Sequence, residues 1–186
     1  VIALKKNLSN LNISLLTYFE SPEDRLHKIC DAFSIETIYT QKEWTREEIN
    51  TNNLLKSTLS ETVNFVEDYD QFLYHPEAVC VIFSNIPDVF TVFRKKMEKT
   101  VKIEASFSIS KRSIENRVDN DTEIATLKDL GFEEFTTNIK TAFPFYGGED
   151  AALERLRSYF FETKKVSFYK NTRNGLIGKD YSTKFS

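Results

Sequence analysis

The chain has 186 residues, 40% of them hydrophobic and 28% charged, with a formal net charge of −3. That apolar share suffices for a real core in one domain, or in one domain with an appendage, and the mildly acidic balance supplies no overall basic field to draw nucleic acid. No apolar run is long enough to cross a bilayer as a helix, and Cys30 and Cys80 have no metal-type spacing and are too few for a disulfide framework, which points to reduced, buried thiols in a cytosolic protein.

Val1, Leu4 and Leu8 form a helical stripe already under way, with no initiator methionine and no capping residue ahead of it. Residues 12–18 are a short β-rich run bounded by polar residues. Ser21, Pro22, Glu23 and Asp24 then read as a helix start: a capping hydroxyl, proline at the first helical position, and acids in the first turn. Leu26, Ile29, Cys30 and Phe33 are the apolar stripe of that helix. Residues 36–40 read as the next strand. Thr45 with Glu48 predicts a capping box opening a helix through about Leu59, and residues 62–66 predict a further strand. Strand, helix, strand, helix, strand at this pace predicts an α/β fold with a Rossmann-like open parallel sheet.

From Tyr69 the pattern changes. Tyr74, His75, Pro76, Ile86 and Pro87 break regular structure, and residues 88–99 predict a helix with Val89, Phe90, Phe93 and Met97 along one side. Residues 101–126 are polar and without period, as in a surface linker. Residues 126–131 predict one helical turn closed by Gly131. A helix over about 149–163 would carry Ala152, Leu153, Leu156, Tyr159 and Phe160 on one face.

Two stretches carry chemistry. Glu43, Trp44 and Glu47 follow a strand at its carboxyl end, where open α/β sheets bind ligands; the plainer reading is a helix N-terminus enriched in acids. The tail, 169–186, combines Arg173, Asn174, Gly175 and Gly178 with Lys184 and hydroxyl side chains, a composition suited to phosphate oxygens or simply to a surface loop. His27 and His75 have no partner at catalytic or metal spacing, so no catalytic residue and no metal ligand is assigned. No glycine-rich dinucleotide fingerprint and no P-loop is present. The phenylalanines at 90, 93, 132, 135, 143 and 145 are read as core rather than as a base-stacking platform.

The order of residues in the tail closely resembles the start of the flavin-binding region of DASH-type cryptochromes, in the cryptochrome and DNA photolyase family. Leu73, Tyr74, His75 and Pro76 followed by 86–99, and Phe145, Tyr146, Gly147, Gly148 and Glu149 followed by 152–156, are similar to two further motifs of that family in the same order. The resemblance implies a partial photolyase-type α/β domain over 1–100, an interdomain linker over 101–145, and the start of an all-α FAD-binding domain over 146–186. It implies that sequence is missing at both ends and that this chain alone is inactive.

For the parent protein the resemblance implies non-covalent FAD, with Tyr169 against the adenosine side and Ser182, Thr183 and Ser186 on the diphosphate, beside Lys184 and Phe185. The family often has serine where Thr183 stands. A folate antenna such as methenyltetrahydrofolate is implied near Glu43, Trp44 and Glu47, although the family usually has a smaller aliphatic residue in place of Trp44. Arg173 would meet either a DNA phosphate or a carboxylate. The implied activity is that of a deoxyribodipyrimidine photolyase acting on damaged DNA, in a monomer without membrane attachment, cytoplasmic or organellar in a eukaryote. The alternatives are a blue-light photoreceptor without repair activity and a stand-alone α/β binding module.

Overall fold

In a computed structural model, the structure describes residues 1–141, 143–175 and 180, and for Val81 the main chain only. In chain order the elements are α1 (Ile2–Asn10), α2 (Pro22–Phe33), β1 (Thr37–Gln41), α3 (Arg46–Thr58), β2 (Asn64–Asp68), α4 (Pro76–Ile82), α5 (Phe90–Thr100), α6 (Glu149–Arg157) and α7 (Tyr169–Thr172). The chain divides into two compact units, one of residues 20–108 and one of 1–19 with 109–186.

The 20–108 unit is built around a βαβ crossover. Strands β1 and β2 pair in parallel, from Thr37 opposite Asn64 to Gln41 opposite Asp68. A parallel pair cannot be joined by a tight turn, so α3 carries the chain back between them. Helix α2 packs on α3, where Cys30 and Leu55 are buried. Each helix starts near its expected place. Ser21 is the N-cap of α2 with Pro22 at the first position, but its hydroxyl donates to Asp24 Oδ2 at 2.6 Å rather than capping a main-chain N–H. Thr45 is likewise the N-cap of α3 without a side-chain bond, so the expected capping box does not close.

Two expectations in this unit fail on burial and on a proline. Cys80 is exposed, unlike Cys30, and Phe33 stays 41% exposed at the end of its stripe. The 73–76 stretch does not simply break the chain. His75 caps α4 through Nδ1, which accepts the Glu77 N–H at 3.3 Å, and Pro76 takes a position whose missing N–H costs nothing. Helix α5 then buries Met97 completely and sets Phe93 against Phe83 at 5.5 Å between ring centroids.

In the other unit, α1 begins at Val1 without a side-chain cap. The 12–18 run, expected as a strand, forms none. Its groups are met by side chains of the 112–123 segment instead of a main-chain ladder. Ser14 Oγ donates to the Val118 carbonyl at 2.8 Å and accepts its N–H at 3.0 Å. Asn120 Nδ2 donates to the Leu15 carbonyl at 2.6 Å, and the Thr17 N–H donates to Thr122 Oγ1 at 3.0 Å. Asn7 Nδ2 ties α1 to the start of α6, donating to Glu149 Oε2 at 2.7 Å and Asp150 Oδ1 at 2.8 Å. The 126–131 turn forms as expected, with Gly131 at φ 80°, where a side chain would be strained. Helix α6 stops earlier than its stripe suggests and gives way to a wide π-type turn, Ser158–Glu162. Tyr159 is fully buried there, whereas Leu153 and Leu156 are exposed.

Candidate functional site

The carboxyl ends of β1 and β2 open onto a cleft of about 340 Å³ lined by Thr40, Glu43, Glu47, Glu48, Thr51 and Asn52. That volume lies at the small end of the roughly 300–1,000 Å³ typical of small-molecule sites. The structure thus brings Glu43 and Glu47 together: Glu43 from the loop leaving β1, Glu47 from the first turn of α3. Both carboxylates can accept hydrogen bonds from an N–H-rich ring.

Trp44 does not line the cleft. It turns to the side, 5.3 Å from Tyr69 and 5.8 Å from Phe72 between ring centroids, and Tyr69 in turn meets His75 at 5.7 Å. Lys42 Nζ lies 5.0 Å from the Tyr69 ring centroid, a cation–π approach. Trp44 nevertheless keeps 55% of its surface exposed. Sequence reasoning missed Tyr69 and Phe72. Their only signal was an aromatic pair just past a strand end.

Behind the cleft is a polar support. Asn52, buried, donates to Glu67 Oε1 at 3.1 Å and, at 3.5 Å, to the Gln41 carbonyl. Lys56 forms an ion pair with the same carboxylate. The Lys56 hydrogen bond, against a smaller opposing effect of burial, holds the Glu67 carboxyl below its ordinary range, with Asn52 adding to it.

The second candidate region lies in the other unit. Tyr169 opens α7 with 41% of its surface exposed. Arg173 follows one turn later, its N–H donating to the Tyr169 carbonyl at 2.8 Å. Arg173 is exposed and has no carboxylate partner among the described residues. Ser182, Thr183, Lys184, Phe185 and Ser186 lie outside the described residues. Where the segment returns, Asp180 pairs with Arg155 and Lys165, a cluster that sequence reasoning did not single out.

Neither histidine is placed for chemistry: His27 Nδ1 is 3.2 Å from the Glu23 carbonyl one turn back, and His75 is the helix cap described above. Among the described residues no group of three or more His, Cys, Asp or Glu side chains could hold a metal ion, and no helix is long and apolar enough to cross a membrane. Burial, with a smaller effect of Asp31, pushes the Cys30 thiol up and makes it a poor nucleophile.

Residues 1–111 match the DNA photolyase family. Over its whole length the chain is 32% identical to a chloroplastic/mitochondrial Cryptochrome DASH of Arabidopsis thaliana and 33% identical to Cryptochrome DASH of Xenopus laevis, covering 33% and 35% of those proteins. The chain therefore spans about a third of the curated relatives it matches. The crystal structure of a Synechocystis cryptochrome superposes on all of it with a TM-score of 0.82 and 29% identity, over 39% of that protein.

Proposed function

The chain belongs to the DNA photolyase family and is most like its DASH-type cryptochromes, and from that membership we propose that it works within a flavoprotein that binds FAD and repairs cyclobutane pyrimidine dimers with blue or near-ultraviolet light. The observation that carries this reading is the tail, whose residue order continues the likeness past the 1–111 match into the flavin region. When bound, the flavin supplies the light-driven electron transfer; the protein binds, orients and shields it.

The residues present suit such a group. Tyr169 offers an exposed ring face, and Ser182, Thr183 and Ser186 offer hydroxyl donors for the diphosphate, flanked by Lys184 and Phe185. Arg173, exposed and without a carboxylate partner among the described residues, is assigned to a DNA phosphate. In this reading residues 1–100 belong to the antenna-side α/β domain, 101–145 to a linker and 146–186 to the start of the flavin domain. Glu43 and Glu47 would hold a folate antenna in the cleft, with the exposed part of Trp44 at its side.

Light and dark incubation of the full-length protein with an oligonucleotide carrying a single thymine dimer tests the reading. FAD co-purification with light-dependent loss of the dimer is the expected result. FAD without repair in either single- or double-stranded DNA supports a photoreceptor instead. Absence of FAD overturns the assignment.

A further inference from the structure

From Lys165 the chain runs through α7 and comes back to Asp180, and charge holds the return point. Arg155 Nη1 donates to Asp180 Oδ1 at 3.0 Å, and Lys165 Nζ donates to Oδ2 at 2.5 Å. The Arg155 side chain is only 10% exposed. Its guanidinium lies 4.5 Å from the Phe145 ring centroid and 4.9 Å from that of Tyr159. A cation so enclosed depends on a carboxylate partner, because an unpaired buried charge is strongly destabilising. The Asp180 carboxyl is held below its ordinary range, first by the Lys165 hydrogen bond and also by that of Arg155, against the opposing effect of burial.

The hollow beside this cluster, about 330 Å³, is also lined by Glu154. Two acids offset two cations there, so the hollow is no anion site. Its charges serve to join segments of chain. Tyr169 and Arg173 both lie within the loop that the Lys165–Asp180 pair closes, and the hydroxyl-rich 181–186 run starts where it ends.

We propose that Arg155, Lys165 and Asp180 form an ionic clamp that closes the base of the 165–180 loop and so positions Tyr169 and the hydroxyl run after Asp180 for the adenosine and diphosphate of FAD. The clamp residues are positioning residues and are assigned no cofactor contact. Their effect is to lower the ordering cost that a free loop would levy on binding. This deepens the FAD reading above and rests on it.

The test uses the full-length protein as wild type, Asp180→Asn, Asp180→Glu and Lys165→Gln. Three quantities are measured: the FAD Kd on titrating the deflavinated protein, the rate of tryptic cleavage after Lys170 and Arg173 without ligand, and the apoprotein melting temperature. Asp180→Asn should raise the Kd by about tenfold, as for loss of a hydrogen-bonded charge, and speed cleavage while the main melting transition stays in place. Asp180→Glu should return the Kd to within about threefold of wild type, and Lys165→Gln should fall between.

Wild-type Kd and cleavage in Asp180→Asn would overturn the clamp, as would a lowered melting temperature with no separate loss of FAD affinity. Should Asp180→Asn fail to fold, Lys165→Gln decides, and an unchanged Kd overturns the proposal. Should the wild type take no FAD, the functional reading fails by itself; faster cleavage in Asp180→Asn would then still support the clamp, and unchanged cleavage would remove it.

Discussion

Asn52 shows what a single side chain contributes to the cleft. Buried behind it, Asn52 links the end of β1 to Glu67 on β2. Replacing it with alanine removes a donor from a carboxylate and should cost about 1–2 kcal/mol, read as a lower urea midpoint with unchanged slope. Glu67 gives a pH signature. Its folded-state pKa lies below its unfolded value, so the stabilisation is fully present above the unfolded value and is lost as pH falls through the folded one. Unfolding free energy should therefore decline on acidification below the ordinary carboxylate value of 4.5, and Lys56→Met should flatten that decline. Lys56 is 39% exposed, so solvent screening keeps the difference within about 1 kcal/mol. None of this pairing was visible in sequence, because the spacing of a helix asparagine and a strand glutamate says nothing of their meeting.

Elements were more legible than their ends. The βαβ order could be read because α3 and its flanking strands have distinct residue periods, yet β2 begins two residues later than expected, at Asn64. Residues 12–18 have strand composition but no ladder; Ser14, Asn120 and Thr122 side chains supply the bonds instead. Helix α4 was missed because His75 and Pro76 were read as a break, when a proline one residue inside a cap starts a helix equally well. Burial was least legible. The apolar stripe of α6 was readable, but Leu153 is 57% exposed while Tyr159, two turns on, is fully buried, since burial depends on a facing surface that periodicity does not specify. The end of α2 offers a test at this scale. Ser34 closes it in the left-handed region at φ 51°, while the Ile35 N–H satisfies the Cys30 carbonyl at 2.9 Å. Ser34→Gly relieves that conformation and should stabilise the 20–108 unit by about 0.5–1 kcal/mol in urea unfolding.

At the scale of the whole molecule, membership of the photolyase family explains why one chain carries both an α/β unit with a cleft at its strand ends and a helical segment leading into a hydroxyl-rich tail. Most of the family reading was legible because its motifs are runs of specific residues in fixed order, independent of packing. Trp44 was legible as an aromatic beside the cleft, but its contacts with Tyr69 and Phe72 required the fold. The central claim is that the tail is a flavin diphosphate site. It is tested most directly by the FAD content of the purified full-length protein when Ser182, Thr183 and Ser186 are all changed to alanine. Each hydrogen bond to a charged group is worth about 1.5–3 kcal/mol before water compensates. The account predicts that the triple variant purifies largely without flavin while retaining the wild-type circular dichroism and main melting transition; full flavin content in that variant would contradict it.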